Sequence, residues 1–413
     1  MPSTLFKKRR RFLIRLAKTL HHCGTPAYQL EAHLIKVSDA LELEGSFLIS
    51  PTTITCVFWP KGDREGQEHT YITRVQPGDL DLGLLACTDE LVEQLCSEER
   101  DLDDALIRLE EITHKPHPYP QWVIFIAFGL ASAAFSMLMG SGWTDVAVSF
   151  VLGLLVFFLG YWSEKSSRIQ SALEPLAAIC SAFLVTGISY ITPEMNNSLV
   201  VLATIIVFIP GLALTVGLSE LAARDLISGT ARVMDACMVM FKLYFGAVLG
   251  FALGDVFWGS FLHSTSAEIA LPLPSWSSWL AVLTLSFCLM VMFKIRLKDA
   301  PWGISAGFLA HGMSLIASAF FGIALGTFFA ALVLGIYANL YARWLKAPAA
   351  IVILQGLVVL VPGSKIYMGL NTAISGQEIL HIDQLGSQAF LILMSLVAGL
   401  IFANIIVDPR RSL

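Results

Sequence analysis

From residue 121 to its end, the chain is a succession of long apolar runs separated by short polar connections. A bilayer offers backbone N–H and C=O groups no partners, so a run of about 20 apolar residues that crosses it must be helical. Ten runs read as spans: 121–140, 144–163, 173–191, 198–217, 234–254, 277–295, 302–320, 322–342, 347–362 and 387–407. Only 14% of residues are charged and 55% are hydrophobic, whereas soluble domains carry about 25% charge. Mean hydropathy is +0.69. Most charges lie in the first 118 residues. The expected fold is a polytopic α-helical membrane protein of about ten transmembrane helices, preceded by a small α+β cytosolic domain.

Charge in the connections sets the direction of each span. "SEKSSR", "SELAARDLISGTAR", "KIRLKD", "YARWLK" and "DPRRSL" hold the Lys and Arg, while "GSGWTD", "TPEMNN" and residues 254–276 hold almost none. Positive residues mark the cytoplasmic side. Both termini are therefore expected in the cytosol, at a plasma or inner membrane. The domains that follow are 1–118 (cytosolic), 119–256 and 257–413 (five helices each). Five is odd, so the two halves enter the membrane in opposite senses, which is an inverted repeat.

Each half breaks its fourth span alike. "IPGLALTVGL" (Ile209 to Leu218) and "VPGSKIYMGL" (Val361 to Leu370) both read Pro-Gly, five residues, Gly-Leu, at an offset of 152 residues. Pro removes an N–H and Gly loosens the backbone, so the helix stops there. Freed backbone groups persist in a membrane only inside protein or beside a wet cavity, where they can hold the charged ends of a solute. A simple proline kink is the alternative.

Polar residues inside spans are functional candidates by default. Lys365 and Asn371 lie beside the second break, and Tyr367 is close by. Glu220, Arg224 and Asp225 follow the first; they read as an internal ion pair, a gate or plain loop charges. Asp235 and Lys242 are one heptad apart on one helical face, which suggests a pair, although Lys242 could equally reach the cytosol. His311 is central in its span and reads as a proton carrier or a packing residue. Asn339, Gln355 and Asp145 are weaker candidates.

In the first 118 residues, helices are expected over 12–20, from Pro26 to about Leu41, and over 82–112, with strands at "GSFLIS", "TTITCVFW" and "HTYITRV". Gly24 breaks the chain, Thr25 is a cap and Pro26 opens the next helix. Pro51 and Thr52 sit at the turn between strands. The net charge of −5 and the brevity of the basic "KKRRRF" argue against nucleic acid. No metal-ligand spacing, CxxC pair or phosphate-binding loop is present, so no cofactor, metal or catalytic set is expected.

Three segments carry a family resemblance: "GTPAYQLEAHLIKVSDALELEGSFLISPTTI", "IPGLALTVGLSELAARDLISGTARVMDA" and "VPGSKIYMGL". Together with the order of soluble domain and two five-span halves, they resemble the threonine/serine exporter family in its fused form. The resemblance implies secondary export of threonine, serine or related small polar solutes across the cytoplasmic membrane, driven by protons. It points to Glu31, Pro210, Gly211, Arg224, Asp225, Gly229, Pro362 and Gly363. One departure is that family members often carry Asn where this chain has Gly217 to Ser219. The partners expected are the solute, protons and lipid, with a homo-oligomer compatible. The alternatives are a gated channel, a membrane enzyme with a hydrolase-like cytosolic domain, or an assembly protein without flux.

Overall fold

In the computed structural model, the residues described are 4–62, 68–76, 78, 80–192, 194–258, 273–360, 363–364, 366–369 and 385–409. The first 113 residues supply α1 (Thr4–His22), α2 (Ala27–Ala40), β1 (Leu43–Ser50), β2 (Thr53–Pro60), β3 (His69–Arg74), α3 (Leu82–Cys96) and α4 (Leu102–Thr113). The strands form an antiparallel sheet in the order β1-β2-β3, with Leu43 opposite Pro60 and Thr53 opposite Arg74. Alternation along the strands turns Phe47, Ile49, Ile54, Cys56 and Phe58 inward. They share one buried core with Leu13 and Leu16 of α1 and Leu30 and Leu34 of α2.

Three local expectations change. α1 starts well before residue 12, and its basic residues reach acids of the same region: Lys8 to Asp103 (2.6 Å), Arg9 to Glu42 (2.9 Å) and Arg15 to Glu110 (2.8 Å). The single helix expected over 82–112 is two helices. Glu98 adopts a left-handed φ of 61°, and Asp101 caps α4 by accepting from the Asp103 N–H at 3.3 Å. Gly24, at φ 80°, does end α1, its N–H bonding the His21 carbonyl while Thr25 N–H bonds that of Leu20. Thr25, however, does not cap α2, and Pro26 occupies the cap position rather than the first helical one.

The remainder comprises α5 (Gln121–Leu138), α6 (Trp143–Ser163), α7 (Ser167–Gln170), α8 (Leu173–Ser189), α9 (Asn197–Thr204), a 3-10 turn (Ile206–Phe208), α10 (Gly211–Ala222), α11 (Leu226–Trp258), α12 (Ser277–Met292), α13 (Ala300–Leu345), α14 (Ala350–Leu360) and α15 (Leu385–Ile406). By length and composition, α5, α6, α11, α13 and α15 can each cross a membrane, and α9 with α10, bent by 54° at their break, passes the same test together, as a broken span or a re-entrant loop. α8, α12 and α14 are apolar but shorter.

α13 has 46 residues, about 69 Å if straight and twice the thickness of a bilayer core. It is a hairpin instead. Gly322 leaves the helical region at φ 79°, ψ 171°. A side chain at Gly326 would strike Ser318. The rings of Trp302 and Tyr341 lie 5.7 Å apart. The two arms, 300–321 and 323–345, match the apolar runs 302–320 and 322–342.

Packing has a recurring form. α5 lies along α6, and α8 along α11. Later in the chain, α12 lies along the first arm of α13, and the second arm along α15. α5 and α12 join the two sets through Ala127, Ala131 and Ala134 against Ala281, Leu285 and Cys288. One detail repeats at the level of atoms. A side chain at Gly153 would strike Ser132 Oγ, and one at Gly307 would strike Ser286 Oγ. Small residues at these crossings let the helices approach closely.

Candidate functional site

The first break is built by its own sequence. Pro210 has no N–H, so the helical ladder of α9 cannot run through it. α9 ends at Thr204, a 3-10 turn follows, and Ile209 is extended at ψ 118°. Gly211 then opens α10, its N–H bonding the Ile209 carbonyl at 2.8 Å. The first amides of α10 have no intrahelical partner and carry a partial positive charge. Gly363, of the second Pro-Gly pair, lies directly against this point. A methyl group at position 363 would sit 3.0 Å from Ile209 Cγ2 and 3.4 Å from Gly211 Cα. Tyr367 and Met368, just beyond, are buried with side chains of α9 and α11. Pro362, Lys365 and Asn371 lie outside the described residues.

The other end of α10 is a charged joint. Glu220 is fully buried. Its carboxylate accepts from Arg232 Nε at 3.0 Å and Nη2 at 3.2 Å, and from the Ala27 N–H at 3.1 Å. Of the readings offered for Glu220, Arg224 and Asp225, an ion pair does form at Glu220, but with Arg232. Arg224 is exposed and left-handed, at φ 65°. With Arg224 N–H on the Leu221 carbonyl and Asp225 N–H on that of Glu220, it closes α10. Asp225 opens α11 by accepting from the Ser228 N–H at 3.2 Å. Gly229 is needed for close approach, since a side chain there would meet the Gly217 carbonyl at 2.9 Å.

The same joint receives the sheet. Glu31 accepts from the Ile49 N–H at 2.8 Å, and burial pushes its carboxyl upward from the usual range. Ser228 Oγ reaches the Ile49 carbonyl at 3.4 Å. Pro51 and Thr52 form the β1–β2 turn, and the Thr52 carbonyl takes the Val75 N–H.

α3 contacts the second set of helices. Leu82 N–H donates to the Phe293 carbonyl at 3.0 Å. Asp81 meets Lys294 at 3.2 Å, Glu90 meets Arg296 at 3.1 Å and Lys298 at 3.5 Å, and Glu93 meets Lys346 at 3.5 Å. Arg296 also holds Asp299 at 2.7 Å, and Asp299 accepts from the Tyr341 hydroxyl at 3.0 Å. The N-terminal elements thus grip both sets of helices at once.

Two other expectations are corrected or left apart. Lys242 turns to Glu174, at 3.9 Å, not to Asp235, which is exposed. One heptad keeps two residues on a face but sets them about 10 Å apart along it. His311 packs its ring edge-on to Trp279, centroids 5.0 Å apart, and among the described residues its Nε2 has no hydrogen-bond partner. Arg232, Ser228, Arg296 and Asp299 were not singled out from the sequence. Arg296 and Asp299 pair locally, three residues apart, but Glu90, Tyr341, Glu220 and Ile49, which the four residues also reach, are distant in the chain or across a turn.

These features define a multi-pass helical membrane protein with a helix broken at the first Pro-Gly pair. Two threonine/serine exporter family models match the chain, one over residues 11–254 and one, described as Threonine/Serine exporter, ThrE, over residues 278–406. The chain belongs to the threonine/serine exporter family. It is similar to pheromone-regulated membrane protein 10 of Candida albicans, 27% identical over 383 residues, covering 89% of this chain and 34% of the relative. The protein of that name in Saccharomyces cerevisiae is 25% identical over 380 residues, covering 90% and 48%. An uncharacterized Schizosaccharomyces pombe protein is 25% identical over 366 residues, covering 86% and 47%. The chain thus spans a third to a half of the length of these curated relatives. No solved structure matches it.

Proposed function

We propose that the chain is a secondary transporter that exports threonine, serine or related small polar solutes, coupled to the proton gradient. Residues 119–256 and 257–413 are its two inverted halves, and residues 1–118 are a cytosolic domain beneath them. The ten spans are α5, α6, α8, α9 with α10, α11, α12, the two arms of α13, α14 with the helical residues after Gly363, and α15. The contact of Gly363 with Gly211 carries this reading. It brings the second Pro-Gly pair against the first break, where unpaired backbone donors and acceptors can hold a zwitterion. The repeated packing of helix pairs supports the repeat, as do the pairs Ser132/Gly153 and Ser286/Gly307, both 21 residues apart and offset by 154. Lys365 and Asn371 contact the solute at the second break, and His311 is the candidate proton carrier.

The test is flux of radiolabelled threonine and serine in proteoliposomes, with and without an imposed pH gradient. Saturable flux that the gradient accelerates, with counterflow, is expected. Flux that never saturates supports a channel, and absence of both fluxes overturns the reading.

A further inference from the structure

The elements of residues 4–113 hold the two sets of helices by unlike means. One buried apolar cluster contains Leu13, Leu30 and Leu82 together with Ile295, Tyr341 and Ile351, so their core continues into the second set. Among the described residues, only Leu212 of the first set packs against that cluster. The Leu82 N–H bond to the Phe293 carbonyl and the ion pairs of α3 reinforce the same contact. Among the described residues, two hydrogen bonds reach the first set: Ala27 N–H to Glu220 at 3.1 Å and Ser228 Oγ to the Ile49 carbonyl at 3.4 Å. Yet residues 114–120 lead covalently into α5, which belongs to the first set.

We infer that residues 4–113 move as one body with the second set and latch the first through Glu220, closing the end of the molecule where the basic connections lie. The inference rests on the export reading above, in which two halves rock against each other. Such rocking must open one of the two contacts. Separating the second exposes buried apolar surface to water, which is unfavourable in proportion to its area. Separating the first exchanges two hydrogen bonds for bonds to water. It strands no charge, because Arg232 belongs to α11 and stays with Glu220. The polar contact is therefore the one that opens. α10 links it to the first break: the helix starts at Gly211, and Glu220 lies in its last turn. Gly217 packs closely on Gly229, so α10 and α11 shift together. A movement at Gly211 is carried along about 14 Å of helix to the carboxylate.

Ala27→Pro tests the latch. It deletes the N–H that Glu220 accepts from α2, and proline suits the first position of a helix. Pro26, at φ −57° and ψ 142°, already has the extended conformation that a following proline requires. The full chain is placed in proteoliposomes, and threonine is presented on the face that carries the N-terminal elements. Ala27→Pro is expected to lower the half-saturating concentration about three- to tenfold, because more of the protein is open on that face. Ser228→Ala is expected to lower it about twofold, and it keeps the test open if Ala27→Pro does not insert. Lys298→Ala, on the other contact, is expected to leave it unchanged. Amide hydrogen exchange gives a reading without flux: residues 220–229 are expected to exchange faster in Ala27→Pro, and residues 82–96 are not. An unchanged or raised half-saturating concentration in the inserted variants, or exchange at 82–96 that quickens equally, overturns the latch and leaves the export reading standing. Absence of threonine and serine flux in the wild type overturns the export reading, and the exchange pattern then decides by itself which contact opens.

Discussion

The carboxylate of Glu220 caps a helix that begins 193 residues earlier, accepting the Ala27 N–H at 3.1 Å. α2 has no cap of its own, because Pro26 lacks a side-chain acceptor and Thr25 makes no such bond. The same carboxylate is held by Arg232 in a two-bond fork. Glu220→Ala leaves an unpaired guanidinium and an uncapped helix, so it is expected to destabilise the protein by about 3–5 kcal/mol. Glu220→Gln keeps an acceptor for Ala27 and is expected to cost less. Thermal unfolding of the detergent-purified protein ranks the two, and equal melting of Glu220→Ala and wild type contradicts the cap.

The contact of α3 with the second set of helices is ionic, but its members are unequal. Lys298 and Glu90 are both largely exposed, at 59% and 55% of their side-chain surface, and such a pair contributes about 0–1 kcal/mol. Arg296 differs because its partner Asp299 has a side chain only 3% exposed. Lys298→Ala is expected to leave the melting temperature nearly unchanged. Arg296→Ala strands Asp299 with Tyr341 alone and is expected to lower it clearly. The same ranking is expected in limited proteolysis, with Arg296→Ala cleaved faster between the N-terminal elements and α5.

The sequence made some of this legible and hid the rest. The apolar runs were readable because lipid forces each into one conformation. Even the reversal at Gly322 was anticipated by the division at residue 321. The first Pro-Gly pair was visible as a local break, since Pro acts on its own turn. That Gly363 touches Gly211 was not visible, because contact between segments 152 residues apart leaves no spacing in either. Glu220 illustrates the same limit: Arg224 and Asp225 stood nearest in sequence, yet the helix closes at Arg224 and turns the chain so that Arg232 comes round to it. Asp235 and Lys242 show the opposite error, in which a correct face was taken for a contact.

The closeness of Gly363 to Ile209 and Gly211 predicts a graded response to side-chain size. Alanine at 363 places its methyl 3.0 Å from Ile209 Cγ2, the end of a side chain that can shift by a few tenths of an ångström. Gly363→Ala is expected to keep part of the flux, and adding Ile209→Ala should restore more of it. Gly363→Leu drives the two breaks apart at a cost of about 1–3 kcal/mol, and flux is expected to fall at least about tenfold while the protein still inserts. Wild-type flux in Gly363→Leu means the breaks need not touch.

His33 gives the N-terminal elements an acid sensitivity. The side chain is 6% exposed, and burial lowers its pKa from 6.5 to about 4. As pH falls, the unfolded chain therefore takes up the proton first. The stability contributed by a neutral His33 is present above about pH 6.5 and is lost progressively down to about pH 4, a change of roughly 3 kcal/mol. His21, also lowered by burial, acts in the same direction. Glu31 acts against them: its raised pKa means the folded form gains the proton first, which favours folding as the solution turns acid. Replacing His33 with Leu removes the largest of these contributions and keeps the site apolar. Unfolding midpoints measured from pH 7.5 to 4.5 should then fall less steeply for His33→Leu than for wild type. Parallel slopes would mean that His33 is already protonated, or already solvated, in the folded protein.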